Sequence, residues 1–139
     1  MAGPWGRTRD GGVISMVLTF RLHPGHYAIA VLRADEPVPG WPGGDFMAIV
    51  RTAAELTIVS DEARVPPDVR QQRGLRCIEI EGSFALNSVG IVAATTRPIA
   101  EAGISLFAFS TWSADCLLIS DIDLNGAVRA LRTVGHIVR

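Results

Sequence analysis

The sequence contains no lysine, so its 13 basic residues are all arginine, and its formal net charge is −1. The arginines are scattered along the chain, and no run of like charge is present. A protein that binds nucleic acid needs a basic surface that neutralises several phosphates. The charge pattern therefore argues against a nucleic-acid partner.

Long apolar runs are also missing, although hydrophobic residues make up 48% of the chain. No segment approaches the roughly 20 apolar residues that cross a bilayer, so we expect no membrane partner. Residues 13–20 follow two arginines and resemble the short core of a secretion signal, but Arg21 follows at once and no cleavage site is evident. We expect a cytoplasmic protein with a flexible tail over residues 1–16, and Met16 is an alternative start of the natural chain.

Cysteine is scarce, and Cys77 and Cys116 form no metal-binding or redox spacing. We interpret them as buried free thiols in a reducing compartment, with a disulfide or a metal pair as the alternatives. The common catalytic and nucleotide-binding motifs are absent as well. Asp121 and Asp123 are close in sequence, but the first ends a predicted strand and the second caps a predicted helix. We therefore expect no catalytic residues, no metal site and no cofactor.

What the sequence does contain is a series of short apolar segments separated by turn residues. In the first half, strands are predicted over residues 17–22, 27–33, 46–51 and 56–61. The run His23-Pro24-Gly25-His26 has proline and glycine at the centre of a type II turn, so the first two strands should form a hairpin. Residues 52–55 have the spacing of a capping box and predict one helical turn. Trp41 lies in a Pro/Gly-rich loop, where we expect it to plug an edge of the core.

The second half predicts strand, helix, strand, strand, helix and strand, in that order. The strands are expected at residues 75–81, 104–111, 115–121 and 137–138, with the middle two joined as a hairpin. This order is the split βαβ, ferredoxin-like arrangement, in which right-handed crossovers place both helices on one face of a four-stranded sheet. The predicted class is α+β: a ferredoxin-like βαββαβ unit in the C-terminal half, preceded by a strand-rich half that can extend or cover the sheet.

Capping residues mark the ends of the two predicted helices. The first helix is expected over residues 88–102, with Ser88 as its N-cap. Pro98 should kink or divide this helix, and Gly103 should end it in a left-handed conformation. Asp123 is expected to cap the second helix.

Several of these segments, in this order, resemble the ACT-domain family, and more narrowly its stand-alone tandem members. In the second half the similar residues are Ala102-Gly103-Ile104-Ser105-Leu106-Phe107, then Ser110-Thr111, Asp115 and the apolar strand after it. In the first half they are Phe46 to Thr52, Glu55 to Val59, Glu62, Val65 and Pro66. The relatives of this group include the cytosolic arginine sensor of animal growth signalling and the regulatory parts of some aspartate kinases. The resemblance implies an abbreviated ACT-like unit over residues 17–66, a linker over 67–74 and an ACT domain over 75–139.

The resemblance also implies a function, namely a regulatory protein that binds a small molecule, most often an amino acid, without catalysis of its own. In this family the ligand lies between two ACT units, near the loop before the first helix of one unit and the start of the second strand of the facing unit. The corresponding residues here, which we predict to bind the ligand, are Leu86, Asn87, Ser88, Val89, Gly90, Gly103, Ile104, Ser105 and Leu106. This chain has Val89-Gly90 where many members have Pro-Gly, and Phe84-Ala85-Leu86 is apolar.

Elementary chemistry favours the same loop. The start of a helix has free amides and a partial positive charge, which bind a carboxylate without a basic side chain. The hydroxyl and carbonyl of Ser105 are suited to an ammonium group. The apolar faces of residues 104–109 predict a homodimer. Two alternatives stay open: a protein-interaction module that keeps the fold without a ligand, and an enzyme whose site the motifs do not reveal.

Overall fold

The structure, a computed structural model, describes residues 17–81 and 90–139. In these ranges the elements are β1 Thr19–Leu22, β2 Tyr27–Arg33, β3 Ala48–Arg51, β4 Glu55–Asp61, β5 Gln71–Ile80, α1 Ile91–Glu101, β6 Phe107–Ser110, β7 Asp115–Ser120, α2 Leu124–Thr133 and β8 Ile137–Val138. This content confirms the predicted α+β class. The chain divides into two compact units: a small unit, His23–Cys77, and a large unit that joins the residues up to Leu22 with Ile78–Arg139. The predicted domain limits at residues 66 and 74 remain a prediction.

The small unit is an antiparallel sheet with the strand order β3-β4-β2-β5. Ala28 and Ala30 on β2 are buried and pack against Val65, and the partly buried Trp41 and Val69 cover them. Small side chains on the strand leave room for the indole ring, and burial of so large an apolar surface stabilises the loop that carries it. Trp41 therefore plugs the core as predicted.

The local turns of the first half were predicted better than the strand pairing. Gly25 has a φ of +89°, as the predicted turn requires, but β1 and β2 do not form the predicted hairpin. β1 pairs with β5 and β8, and β2 pairs with β4 and β5. Strand partners are chosen by burial across the whole fold, so a correct turn does not guarantee a hairpin.

One further prediction for this half is wrong. Residues 52–55 form no helical turn; the hydroxyl of Thr52 accepts hydrogen bonds from the amides of Ala54 and Glu55 at 3.1 and 3.2 Å. This spacing caps a helix in other proteins, but in this chain it closes the tight turn between β3 and β4. A threonine hydroxyl can accept hydrogen bonds from nearby amides in either structure. Strand β5 begins at Gln71, four residues before the strand start predicted at residue 75.

The large unit has the strand order β8-β1-β5-β7-β6, and both helices pack on one face of this sheet. The buried core joins strand residues with helix residues: Phe20, Ile78, Ile80, Leu117 and Ile119 with Ile99, Leu124, Ala127 and Leu131. This arrangement confirms the ferredoxin-like prediction. The sheet has five strands because β1 lies between β5 and β8, antiparallel to the first and parallel to the second.

Helix α1 begins later than predicted and ends where predicted. Its N-cap is Gly90, so the prediction of Ser88 as N-cap is wrong, and Ser88 itself lies outside the described residues. At the other end Gly103 has a φ of +75°. Its amide donates to the carbonyl of Ala100, and the amide of Ile104 donates to that of Ile99, at 2.9 and 3.2 Å. These two bonds form the Schellman motif that a left-handed glycine allows.

The two remaining predictions about the helices are partly right. Pro98 lies inside α1 but does not divide it, since the helix continues to Glu101. Asp123 is at the N-cap of α2, as predicted, but its side chain makes no capping hydrogen bond there. A 3-10 turn at Asp121–Asp123 leads directly into α2 and replaces the expected cap.

A buried histidine compensates for the hydrogen bond that Pro98 cannot make. Proline has no N–H, so the carbonyl of Ala94 lacks its usual helical donor. Nε2 of His136 lies 3.2 Å from that oxygen, and Nδ1 accepts from the amide of Leu18 at 3.1 Å. Because a carbonyl can only accept, Nε2 carries the hydrogen. The ring is 7% exposed and packs edge-on against Phe20, so it joins α1 to the start of β1.

Candidate functional site

The structure places the described part of the predicted site at the two ends of α1. Gly90 immediately precedes the helix, and residues 103–106 immediately follow it. The helix has 11 residues, which at roughly 1.5 Å per residue separates its ends by about 16 Å. One copy of the chain therefore does not bring these two groups together. The remaining predicted residues lie outside the described part: Leu86, Asn87, Ser88 and Val89.

Gly90 gives the helix start an open character. It is exposed and left-handed, with a φ of +89°, and as a glycine it makes no side-chain capping hydrogen bond. The amide of Ala94 makes the first intrahelical bond, to the carbonyl of Gly90 at 2.9 Å. The amides of residues 91–93 come before that first bond and point toward the start of the helix. The partial positive charge of the helix dipole is concentrated there.

Ile91 and Val92 differ in what they offer at this helix start. Ile91 is buried in the core of the large unit, which anchors the first turn, whereas Val92 is exposed. An anchored first turn holds the backbone amides in fixed directions. The arrangement can therefore bind an anion with little reordering of the protein.

The other end of α1 offers one exposed polar side chain between two apolar ones. Ile104 and Leu106 are partly buried and pack against the core of the large unit, while Ser105 is exposed. These residues do not belong to the strand predicted to begin at residue 104, because β6 begins at Phe107. The core contacts of its two neighbours fix the backbone on which the Ser105 hydroxyl stands.

Strand β6 is an edge strand that pairs, among the described residues, with β7 alone. The amide of Thr111 donates to the carbonyl of Ala114 at 2.8 Å and closes the β6–β7 hairpin. Along an edge strand the backbone groups of successive residues point alternately toward the partner strand and away from it. Since Thr111 points toward β7, the backbone N–H and C=O of Ala108 and Ser110 point outward, away from β7. Phe107, on this strand, is 39% exposed. Residues 103–114 contain no charged side chain, although natural edge strands usually carry charges that prevent pairing with another chain.

The charged residues of the large-unit sheet bind one another. Arg21 contacts Glu79 directly across β1 and β5 at 3.1 Å. Arg139 donates to the carboxylate of Glu81, and this hydrogen bond holds the pKa of Glu81 below its ordinary value. These pairs hold the strand ends together rather than forming a site.

The described residues give no sign of a metal centre or a membrane span. Within residues 17–81 and 90–139, no group of His, Cys, Asp and Glu side chains is suited to hold a metal ion. No helix in these ranges has the length and apolar character needed to cross a bilayer. Cys77 and Cys116 are both buried, as predicted.

Two family descriptions match most of the chain. The ACT domain matches residues 70–133, and a separate N-terminal domain matches residues 25–68. A protein of Agobacterium tumefaciens, known from an X-ray crystal structure, is 36% identical, with a TM-score of 0.85 over 90% of this chain and 94% of that one. No curated protein matches the sequence.

More distant structures share the fold. The ligand-free regulatory subunit of aspartate kinase from Thermus thermophilus is 12% identical, with a TM-score of 0.59 over 86% of this chain and 99% of that one. A Vibrio cholerae protein of unknown function, described as a possible transport protein, is 20% identical, with a TM-score of 0.64 over 84% and 89% of the two chains. At these identities the likeness concerns architecture alone.

Proposed function

Because the chain belongs to the ACT-domain family, we propose that it is a regulatory protein that binds an amino acid at the start of α1 and has no catalytic activity of its own. The observation that carries this proposal is the exposed, left-handed Gly90 at the N-cap of α1. Gly90 has no side chain with which to cap the first-turn amides, and the amides at the start of a helix suit a carboxylate. The ACT-domain match over residues 70–133 supports the regulatory role.

The second half of the site comes, in this proposal, from a second copy of the chain. Gly90 and Ser105 lie at opposite ends of α1 and cannot share one ligand within a copy. A homodimer formed through β6 supplies a Ser105 that faces the helix start of the other copy. The uncharged edge of β6 suits antiparallel pairing with its own symmetry mate.

The outward groups of β6 restrict how two such edges pair. Ala108 and Ser110 turn their backbone groups outward, so a twofold axis at Ala108 brings its N–H and C=O into register with those of the same residue in the second copy. In that register Phe107 of each copy lies opposite Phe109 of the other, on one face of the joined sheet. Aromatic cross-strand pairs of this kind stabilise a sheet by roughly 0.2–1 kcal/mol each. We further propose that the dimer acts in the cytoplasm, where free thiols persist.

A protein-interaction role without a ligand is the second candidate. The exposed aromatic residues at β6 favour it, because Phe107 is 39% exposed and Trp112, in the hairpin turn, is 80% exposed. Large exposed aromatic side chains around an uncharged edge are suited to a protein partner.

A thermal-shift screen of the twenty amino acids separates the two candidates. A ligand at 100 times its dissociation constant stabilises the folded protein by about 2.7 kcal/mol, which raises Tm by several degrees. We expect at least one amino acid to do so, and the shift to disappear in Gly90→Val. Gly25→Val is the matched control, because Gly25 has the same φ of +89° and lies in the small unit. If no amino acid changes Tm, or if Gly90→Val responds like the parent, the proposed ligand site is wrong.

Light scattering with size-exclusion chromatography tests the dimer separately. Ala108→Pro removes an outward N–H from β6, and we expect it to convert a dimer to a monomer. Ile49→Pro, on the edge strand β3 of the small unit, is the comparison variant, because alternation from the bond between the Thr52 amide and the Glu55 carbonyl turns the Ile49 N–H outward as well. A parent protein that is strictly monomeric at high concentration would refute the two-copy site.

A further inference from the structure

A charged groove lies wholly within the small unit, between the 3-10 turn at Glu62–Arg64 and the start of β5. None of its residues belongs to the site predicted around α1. The residues that matter for its chemistry are Glu62, Val65, Val69, Arg70, Gln71 and Arg73. The groove combines a carboxylate, two guanidinium groups and an apolar wall.

Arg73 is oriented by a short series of hydrogen bonds. The side-chain amide of Gln71 donates from Nε2 to the carbonyls of Pro66 and Val69, at 2.9 and 3.0 Å. These two bonds fix the direction of the amide, so Oε1 is left to accept from Arg73, at 2.9 Å. That contact uses one of the five N–H donors of the guanidinium, and the others remain available to a ligand. A cation that is held in place in advance loses little side-chain freedom when it binds an anion.

Glu62 is fixed in the same groove by the backbone. Oε2 of Glu62 accepts from the amide of Gly74 at 2.8 Å. Gly74 has a φ of +73° and lies near the irregularity where the pairing of β2 with β5 changes register. A carboxylate has about four acceptor positions, so this one bond leaves Glu62 free to accept from an ammonium group.

These opposite charges are not neutralised by one another or by other side chains. Glu62, Arg70 and Arg73 form no ion pair with any residue in the described ranges. The wall beside them is apolar, since Val65 is buried and Val69 is partly buried against the core of the small unit. The groove thus presents a negative group, a positive group and an aliphatic surface, all on fixed backbone.

We propose that this groove is a second binding site, specific for a small zwitterion with an aliphatic side chain. The ligand carboxylate binds Arg73 and Arg70, its ammonium group binds Glu62, and its aliphatic part lies on Val65 and Val69. Guanidinium groups suit carboxylates because their parallel N–H groups match two oxygens. This inference does not depend on the proposed site at α1.

Amide chemical shifts of the 15N-labelled full chain provide the test, with three probes that differ in charge. L-leucine carries both charges, 4-methylpentanoate lacks the ammonium group, and isoamylamine lacks the carboxylate. We expect leucine to shift the amides of residues 62–74 in a saturable way, and each of the other two probes to bind about tenfold or more weakly. The factor follows from the loss of one hydrogen-bonded charge contact.

Substitutions identify which group binds which charge. Glu62→Gln keeps an acceptor for the Gly74 amide but removes the charge. It should therefore weaken the binding of leucine and leave the binding of 4-methylpentanoate unchanged. Arg73→Gln should weaken the binding of both leucine and 4-methylpentanoate about tenfold or more. Arg33→Gln is the control, because Arg33 is an exposed arginine of the same unit that pairs with Asp35 and Glu36. We expect it to bind all three probes as the parent does.

The outcomes separate this site from the one at α1. If leucine changes the chemical shifts of Gly90 and residues 104–106 but not those of residues 62–74, the groove proposal is overturned and the α1 proposal stands. Shifts at residues 62–74 that persist unchanged in Arg73→Gln would also overturn it. Shifts in the groove alone would support this proposal while counting against amino-acid binding at α1.

Discussion

Substituting Pro98 and His136, singly and together, tests whether the buried histidine replaces the hydrogen bond that proline removes from α1. His136→Phe deletes the donor to the Ala94 carbonyl and the acceptor for the Leu18 amide. A buried polar group left without a partner costs about 1–3 kcal/mol, so two of them lower the free energy of unfolding by about 2–6 kcal/mol. Phenylalanine keeps a ring for the contact with Phe20.

The stability lost in His136→Phe should change when residue 98 has a backbone N–H. Pro98→Ala supplies a backbone donor to the Ala94 carbonyl, so only the Leu18 amide then loses its partner in the double variant. We expect His136→Phe to cost about 1–3 kcal/mol less in the Pro98→Ala background than in the parent. Pro98→Ala by itself should be neutral or stabilising, because alanine favours a helix over proline.

Urea denaturation followed by circular dichroism measures all four proteins of this cycle. Thr96→Ala replaces Pro98→Ala in a control cycle, because the Thr96 hydroxyl bonds to Val92 and not to His136. Effects that add to within about 0.5 kcal/mol in the Pro98 cycle would refute the compensation, whatever the size of the single effects. A coupling of similar size in the Thr96 cycle would show that the interaction is not specific to the missing N–H.

Three further predictions address packing and titration. Ile99→Ala should lower the free energy of unfolding in urea by about 2–5 kcal/mol, because Ile99 is fully buried between α1 and the sheet, whereas Val92→Ala on the exposed face should change it by less than about 0.5 kcal/mol. Tyr27 is the single tyrosine of the chain, and burial raises its pKa above 10.0, so the midpoint of the tyrosinate absorbance change should lie above that pH. The contribution of this burial to stability is full below the unfolded pKa and is lost as pH rises through the folded one. A midpoint at or below pH 10.0 would contradict this. The carboxyl carbon of Glu81 should titrate below 4.5 by NMR, because the hydrogen bond from Arg139 lowers its pKa, and Arg139→Gln should raise that pKa. The contribution of this pair to stability is present above the unfolded pKa and disappears as pH falls through the folded one.

Local signals in the sequence predicted the secondary structure of the second half well. Gly103 at the end of α1 and the turn before β7 depend on contacts between neighbouring residues, so a short window of sequence contains the necessary information. The partners of β1 could not be read in this way. Phe20 pairs with Ile80, 60 residues later in the chain, and nothing in either segment specifies the other. The prediction for residues 52–55 was wrong for another reason: a threonine that can cap a helix can also close a tight turn.

The candidate sites were predictable to different degrees. Gly90 was identified through the family resemblance, and its left-handed backbone at the helix start agrees with the role proposed for it. The separation of Gly90 from Ser105 follows from the length of α1. By contrast, Glu62 lies in the predicted first unit and Arg73 in the predicted linker, and only the fold of β5 brings them to one groove. Charged residues in a polar segment carry no periodic signal, so sequence patterns alone do not reveal such a site.

The position of β1 between β5 and β8 constrains the order in which the chain acquires its structure during synthesis. The residues of the small unit are contiguous, so that unit can form as soon as it has left the ribosome. The large unit needs both β1 and β8, so its core cannot close until β8 has been synthesised. A growing chain therefore keeps one edge of β1 unpaired until β8 emerges, and unpaired strand edges are the parts of an incomplete fold that aggregate most readily.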